Sequence, residues 1–237
     1  MDQPKHESKK QKLKKTKRGK GKRKKGRNEP VNFSLIGTNS NGLSAKLDSL
    51  KNNLNIFAKP SCVTIQESKL RESCDIDLPG YQVFQLNRPT RKGGGLLTIV
   101  DVSLDPVLVA AGEDCAEVLV VQVKVGQLDI RVFNAYGPQE DETNDSLNFW
   151  LGLEKEIIKA KQNNCCIILE MDANAKIEAE NNASKNGQLL LNMCKRQNLE
   201  ILNKSVEAKL QDTELQKLEK KNLFGIISWF VKFYSAI

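Results

Sequence analysis

The segment CCIILEMDANAKI (residues 165–177) contains an apolar run that is followed at once by polar side chains. Residues 165–169 have the composition of a buried β-strand, and Asp172 and Asn174 come just past them. Because residues i and i+2 of an extended chain point to the same side, these two side chains are expected to lie together. The carboxyl ends of strands are where α/β proteins bind ligands, so the segment predicts a site at the end of a strand.

The segments on either side alternate between strand and helix patterns. EVLVVQVKVGQLDIRVFNAYGP (117–138) predicts a β-hairpin that turns at Gly126. Further strands are predicted in VNFSLIG, CVTIQE, YQVFQL, RKGGGLLTIV and LEILN, and amphipathic helices over 44–59, 145–161 and 186–199. Strands that both alternate with helices and pair as hairpins predict an α/β sandwich of two mixed β-sheets flanked by helices.

Charge divides the chain into a basic segment, residues 1–30, and a mildly acidic remainder. The first 30 residues carry 14 Lys or Arg and 3 Asp or Glu, and the rest carries 23 basic and 26 acidic residues. We expect residues 1–30 to be a disordered basic tail that binds nucleic acid or directs nuclear import, with a purely solubilising tail as the alternative. The candidate DNA-binding residues are Lys14, Lys15, Lys17, Arg18, Lys22, Arg23, Lys24 and Lys25.

The last segment, residues 204–237, differs in composition from the predicted globular domain over 31–203. It predicts a divergent helical and apolar tail that ends in LFGIISWFVKFYSAI (223–237). That run is too short to span a bilayer, so we expect no membrane span. We expect a helix packed on the domain or a tail without a defined role, and an interfacial segment is the alternative.

The cysteines and the histidine limit the possible sites. None of the six cysteines is spaced as CxxC, and no secretory leader is recognised, which favours reduced cysteines in a nuclear or cytoplasmic protein. A zinc site is not expected, because the only histidine is His6 in the basic segment. The glycines at 93–95 are not followed by Lys-Ser/Thr, so a tight turn is expected there and no phosphate-binding loop.

Six segments, taken in order, resemble the endonuclease/exonuclease/phosphatase superfamily, and most closely the apurinic-like endonuclease domains of non-long-terminal-repeat retrotransposons. They are GTNSNGL (37–43), TIQESKL (64–70), RKGGGLLTIV (91–100), FNAYGPQ (133–139), EMDANAKI (170–177) and NGQLLLNMCKRQNLEILN (186–203). The resemblance implies a nuclease that cleaves DNA phosphodiesters with Mg²⁺ or Mn²⁺, and we expect no small-molecule cofactor.

The resemblance also implies a role for each matched residue. Glu67, Asn39 and Asn41 match positions that hold the metal and its hydrogen-bond network. Tyr136 matches a tyrosine near the scissile phosphate. Asp172 matches the residue that orients or deprotonates the attacking water, and Asn174 matches a phosphate or metal contact. Oxygen ligands of this kind suit a hard divalent cation.

The resemblance ends at Asn203. It implies further strands, a catalytic Asp and a terminal Asp-His pair, and nothing after residue 203 matches them. We therefore expect a C-terminally truncated domain with an incomplete sheet and impaired catalysis. A non-catalytic nucleic-acid-binding remnant is the alternative. A third hypothesis, a phosphatase of small phosphoesters, agrees less well with the retrotransposon-like sequences EMDANAKI and FNAYGPQ.

Overall fold

The computed structural model describes residues 33–56, 59–71, 74–88, 93–112, 117–139, 143–177, 183–201 and 229–232. The predicted basic tail over 1–30, with its candidate DNA-binding residues, lies outside these ranges. In the described ranges the strands form two mixed sheets, one of four strands and one of six. The helices cover the outer faces, which confirms the predicted α/β sandwich.

The first sheet has the order β1-β2-β4-β3. Its strands are β1 (Leu35–Asn39), β2 (Cys62–Gln66), β3 (Tyr81–Leu86) and β4 (Leu96–Asp101). A short 3-10 helix (Ser44–Lys46) and α1 (Leu47–Ile56) connect β1 to β2. A helical crossover lets two consecutive strands run parallel, and β1 and β2 do so.

The second sheet has the order β5-β6-β7-β8-β10-β9. Its strands are β5 (Val107–Ala111), β6 (Val118–Val125), β7 (Leu128–Tyr136), β8 (Cys166–Asp172), β9 (Glu200–Ile201) and β10 (Trp229–Lys232). The hairpin predicted around Gly126 is β6 and β7. The helix α2 (Thr143–Gln162) crosses over between β7 and β8, which are parallel, and α3 (Lys185–Arg196) follows β8.

The core has three apolar layers. The middle layer lies between the sheets and includes Val121 and Val123 of β6, packed with Leu96 of β4. On the outer face of the second sheet, α2 and α3 cover Val118 and Val120. On the outer face of the first sheet, α1 and the following loops cover its strands. The strand β6 is buried on both faces over most of its length, which explains its nearly unbroken apolar sequence.

Residues 229–232 of the predicted C-terminal tail form a strand and not the expected helix. These four residues form strand β10, which pairs antiparallel with β8 on one side and with β9 on the other. The sheet expected to be incomplete therefore has strands beyond β8 in the described chain. The other residues of the predicted tail, 202–228 and 233–237, lie outside the described ranges.

Two further features bear on the sequence predictions. None of the five cysteines in the described ranges takes part in a disulfide, and Cys62, Cys165 and Cys194 are buried. No helix in the described part of the chain combines the length and the apolar character needed to cross a membrane.

Candidate active site

The predicted site residues meet at the carboxyl ends of four strands. Asn39 ends β1, Tyr136 ends β7 and Asp172 ends β8, while Glu67 directly follows β2. Two parallel strand pairs bring these ends together, with Tyr136 opposite Asp172 in the register of β7 and β8. Each sheet contributes one parallel pair, and the site lies where the carboxyl ends of these two pairs meet.

The side-chain amide of Asn39 connects the two carboxylates of the site. Its Nδ2 donates to Glu67 Oε1 at 3.0 Å and to Asp172 Oδ2 at 2.8 Å. Its Oδ1 accepts the backbone N–H of Asn41 at 3.0 Å. With both ends of the amide engaged, the side chain has one orientation, and it holds carboxylates from the two sheets at a fixed separation.

Glu67 receives more hydrogen bonds than the other carboxylate. Besides Asn39, the Tyr136 hydroxyl donates to Oε1 at 2.9 Å, and the Lys69 ammonium lies 3.0 Å from Oε2. Burial raises the pKa of Glu67, but the hydrogen bonds from Asn39, Lys69 and Tyr136 and the charge of Lys69 lower it more, so the pKa is below the usual value. Glu67 is therefore ionised at neutral pH and can hold a cation.

Tyr136 keeps its proton at physiological pH. Burial raises its pKa to about 12, with further contributions from Glu67 and Asp172 and a partial offset from a hydrogen bond that the Asn174 side chain donates. The Arg88 guanidinium lies 5.9 Å from the centre of the Tyr136 ring. Arg88 in turn forms a two-pronged ion pair with Glu117, through Nε and Nη2. The phenol is thus a fixed hydrogen-bond donor at the site.

The turn after β8 places Asn174 beside Asp172. The backbone N–H of Asn174 donates to Asp172 Oδ1 at 3.1 Å, and its side chain donates to the Gly137 carbonyl at 2.7 Å. A Cβ on Gly137 would lie 2.6 Å from the Ala173 carbonyl oxygen, so only glycine allows the two loops to come this close. The turn after β8 is therefore held in place by the Asn174 hydrogen bonds and by its close contact with Gly137.

Buried Asn186 at the start of α3 supports the same turn. Its Nδ2 donates to the carbonyls of Asn174 (3.2 Å) and Pro138 (2.7 Å). Its Oδ1 accepts from Ser146 Oγ at 2.7 Å and Trp150 Nε1 at 3.3 Å. All of its hydrogen-bonding positions are used, so Asn186 connects the loops after β7 and β8 to α2.

Four non-glycine residues of the site loops have positive φ. The values are 44° for Asn41, 48° for Glu67, 50° for Lys69 and 44° for Asn174. Non-glycine residues occupy this region rarely and at an energetic cost, and such residues cluster where function requires a particular geometry. The cost is balanced here by backbone hydrogen bonds, such as those from Gly42 N to Glu67 O at 2.8 Å and from Lys69 N to Gly94 O at 2.9 Å.

A layer of fully buried polar side chains lies between the sheets beneath the site. Its members have no exposed surface: Thr64, Gln66, Thr98, Asn134 and Glu170. Gln66 Nε2 donates to Asn134 Oδ1 at 2.8 Å and also to Glu170 Oε2, so it connects β2 to both β7 and β8. We call these five residues the buried polar layer. Gln66, Asn134 and Glu170 each come one or two positions before a site residue, namely Glu67, Tyr136 and Asp172, respectively.

Glu170 is the only acidic member of the buried polar layer. Thr64 Oγ1 donates to its Oε2 at 2.7 Å, whereas its Oε1 has no hydrogen-bond partner among the described residues. Burial raises the pKa of Glu170 to about 7, with partial offsets from Thr64 and Gln66 and a small addition from the Asp172 charge. Gly37 on β1 leaves room for this side chain, because a Cβ there would lie 2.2 Å from Glu170 Cδ.

The sequence predictions thus converge on one place. Asn39, Glu67, Tyr136 and Asp172 are joined by direct hydrogen bonds, Asn174 contacts Asp172, and Asn41 contacts Asn39. The sequence reading missed several residues that shape this place: Lys69, Arg88, Asn186 and Glu170. Lys69 lies two positions after Glu67 in TIQESKL (64–70), and this spacing is the one signal that could have identified it.

The oxygen donors of the site suit a hard divalent cation. No group of three or more His, Cys, Asp or Glu side chains converges in the described ranges. The site offers two carboxylates and several amide oxygens, a hard oxygen set of the kind that Mg²⁺ uses when waters and substrate complete its shell. A positive group already lies on these oxygens, since the Lys69 ammonium contacts both Glu67 and Asn41. The residues therefore fit a cation of this class.

No family model and no curated protein matches the chain by sequence. Solved structures do match, although sequence identity is low. The endonuclease domain of TRAS1, a telomere-specific non-LTR retrotransposon, is 18% identical, covers 72% of this chain and 73% of its own, and has a TM-score of 0.53. The catalytic domain of Xenopus laevis APE2 is 14% identical. The match covers 84% of this chain and 82% of the APE2 domain, with a TM-score of 0.62.

A third match extends the comparison to bacteria. The 3′ phosphatase NExo from Neisseria, solved with a product DNA hairpin, is 16% identical, covers 85% of this chain and 86% of its own, and has a TM-score of 0.58. At this level of identity, the likeness concerns the arrangement of the backbone. All three structures have the same two-sheet architecture, and the chain therefore has the endonuclease/exonuclease/phosphatase fold.

Proposed function

We propose that this chain is a divalent-metal-dependent nuclease of the retrotransposon type that hydrolyses phosphodiester bonds in DNA. The observation that carries the proposal is the single amide of Asn39, which joins Glu67 of one sheet to Asp172 of the other. Two carboxylates held side by side can divide the work, one holding a cation and the other a water. The DNA-acting proteins among the structural matches support the choice of substrate.

The proposed mechanism gives each residue one task. Glu67 and Asn41 hold Mg²⁺ or Mn²⁺ through their side-chain oxygens, and Asn39 orients both carboxylates. When bound, the cation would neutralise the phosphate and favour departure of the leaving oxygen. Asp172 orients the attacking water and accepts its proton. Asn174 donates to a phosphate oxygen. Tyr136 keeps its single proton, which it donates to Glu67 in this structure, and would turn it to a phosphate oxygen when Glu67 holds the cation.

We further propose that turnover is slow. The chain's single histidine is His6, so no imidazole is available from the described residues to protonate the leaving group or to stabilise charge at the phosphate. The absence of one general acid or base typically lowers a rate by about 10²–10⁴-fold. Nicking is therefore expected at enzyme excess over long incubations.

A plasmid-nicking assay tests the proposal. Supercoiled plasmid is incubated with the full chain in Mg²⁺ or in EDTA, beside the variants Glu67→Gln and Asp172→Asn. Asp105→Asn is the matched control, because Asp105 is an exposed aspartate in an ion pair with Lys124 far from the four strand ends. We expect slow nicking that needs Mg²⁺, is lost in both site variants and persists in the control.

The competing function is nucleic-acid binding without catalysis, which the 14 basic residues among the first 30 favour. Folded protein that binds DNA but does not nick it with either cation would refute the nuclease proposal and support this one. Deletion of residues 1–30 should then remove most of the affinity. It should also flatten the dependence of binding on salt concentration, because fewer counterions are released.

A further inference from the structure

Lys69 contacts two of the oxygens that the proposed function assigns to the metal. Its ammonium nitrogen lies 3.0 Å from Glu67 Oε2 and donates a hydrogen bond to Asn41 Oδ1. About a third of the side chain is exposed, so the ammonium reaches the site from its solvent side.

The backbone directs Lys69 to this position. Its φ of 50° places it in the left-handed region, and its N–H donates to the Gly94 carbonyl at 2.9 Å. The stem of the side chain runs between Gly42 and Gly93, where an added Cβ would lie 3.8 Å from Cδ and 3.9 Å from Cε, respectively. Glycines of the loops after β1 and before β4 therefore flank the stem of Lys69, whose ammonium contacts Glu67.

An ammonium and a small divalent cation cannot occupy these oxygens together. Mg²⁺ binds oxygen at about 2.1 Å, whereas the Lys69 nitrogen lies 3.0 Å from Glu67 Oε2. A cation that bridged Glu67 and Asn41 would therefore overlap the ammonium group. It would also be repelled by it, because both carry positive charge in a partly solvated site.

We propose that Lys69 is a resident competitor for the divalent cation, holding Glu67 and Asn41 while the site is metal-free and leaving them when a metal binds. This proposal rests on the proposed function, since it concerns the same metal site. In the metal-free protein, Lys69 offsets the repulsion between Glu67 and Asp172. The lysine thereby raises the metal concentration at which the site fills.

Direct Mn²⁺ binding tests the proposal without any measurement of activity. The Mn²⁺ signal in electron paramagnetic resonance reports free metal, and the full chain is titrated in parallel with Lys69→Met, Lys69→Gln, Lys69→Arg and Glu67→Gln. Lys124→Met is the matched control, because Lys124 is an exposed lysine paired with Asp105. Cooperative melting in EDTA establishes that each variant is folded, and the glutamine variant serves if the methionine variant does not fold.

We expect the neutral variants to bind Mn²⁺ about tenfold more tightly than the wild-type chain, as follows from removing one charge at contact distance in a partly solvated site. Lys69→Arg and Lys124→Met should bind like the wild type. Lys69→Met and Lys69→Gln should melt at a lower temperature than the wild type in EDTA, because they lose the Lys69 ammonium. Their melting temperature should rise more on addition of Mn²⁺, because they bind the metal more tightly.

Two outcomes would overturn the proposal, and one of them separates it from the nuclease hypothesis. Equal or weaker Mn²⁺ binding in the neutral variants would show that Lys69 does not compete, even if Glu67→Gln abolishes binding and the metal site is real. Failure of every variant to bind Mn²⁺, or equal binding by Glu67→Gln, would refute the metal site itself and with it both proposals.

Discussion

Replacement of Glu170 by glutamine should change how the stability of the protein depends on pH. Glu170 is fully buried in the polar layer between the sheets, and burial raises its pKa to about 7 from a usual value of 4.5. Glutamine has nearly the same shape and can still accept the hydrogen bonds from Thr64 and Gln66. Unlike glutamate, it carries no charge at any pH.

The sign follows from proton binding in the two states. Between pH 4.5 and about 7, the folded chain holds the Glu170 proton more tightly than the unfolded chain does. The contribution of Glu170 to the free energy of unfolding therefore falls as pH rises through this window and stays low above it. Between pH 5 and pH 8, the loss from this one group amounts to about 2.5 kcal/mol.

Urea denaturation at pH 5, 6, 7 and 8 in the presence of EDTA measures this effect. The other carboxylates contribute equally to both proteins, so the difference between Glu170→Gln and wild type isolates Glu170. The charge of Asp172 on the same strand acts on the Glu170 carboxyl through space. Glu170 in turn adds to the effect of burial in raising the pKa of the Cys62 thiol on β2. Glu200→Gln, on the exposed side of β9, is the control.

The relative stability of Glu170→Gln should rise by about 2.5 kcal/mol from pH 5 to pH 8. The measurement can refute the reasoning clearly. If the difference between variant and wild type stays constant within about 0.5 kcal/mol over this range, Glu170 does not titrate in the folded protein as its burial implies.

Two further predictions concern stability measured by urea denaturation. Gly37→Ala should cost about 1–3 kcal/mol, because its Cβ meets the immobile carboxyl of Glu170, and the cost should shrink in combination with Glu170→Ala; an unchanged cost in the double variant would mean that the clash lies elsewhere. Asn186→Ala should cost about 2–4 kcal/mol of unfolding free energy, because it removes the hydrogen-bond partners of the Asn174 carbonyl and of the Trp150 indole N–H. A stability loss below about 0.5 kcal/mol would show that water replaces these contacts.

The arrangement of strands and helices was largely predictable from hydrophobic periodicity. The strand β6 illustrates why, since its apolar residues are buried on both faces over Val118–Val121 and on one face beyond. Strand β10 was not predictable, because an aromatic-rich run such as 223–237 suits a helix or a strand equally well. Its partner β8 lies far away in the sequence, and only tertiary pairing decides between the two.

The site was predictable to the extent that its residues follow strand ends. Glu67 and Asp172 come directly after or at the end of apolar strands, and parallel pairing brings such ends together. Lys69 and Asn186 were not predictable in the same way. A lysine in a loop and an asparagine at the start of a helix usually face solvent. The spacing of Lys69 from Glu67 is the one local signal for the lysine, and nothing local shows that Asn186 contacts the buried Ser146 and Trp150.

The buried polar layer also has a consequence for how the two sheets find their alignment. Apolar faces can slide past one another with little loss, because contacts between aliphatic side chains are not directional. Gln66 has its partners only when β2 lies opposite Asn134 and Glu170, and a slip of two residues would leave several buried polar groups unpaired. We expect the layer to select one register among several apolar alternatives, at some cost in stability.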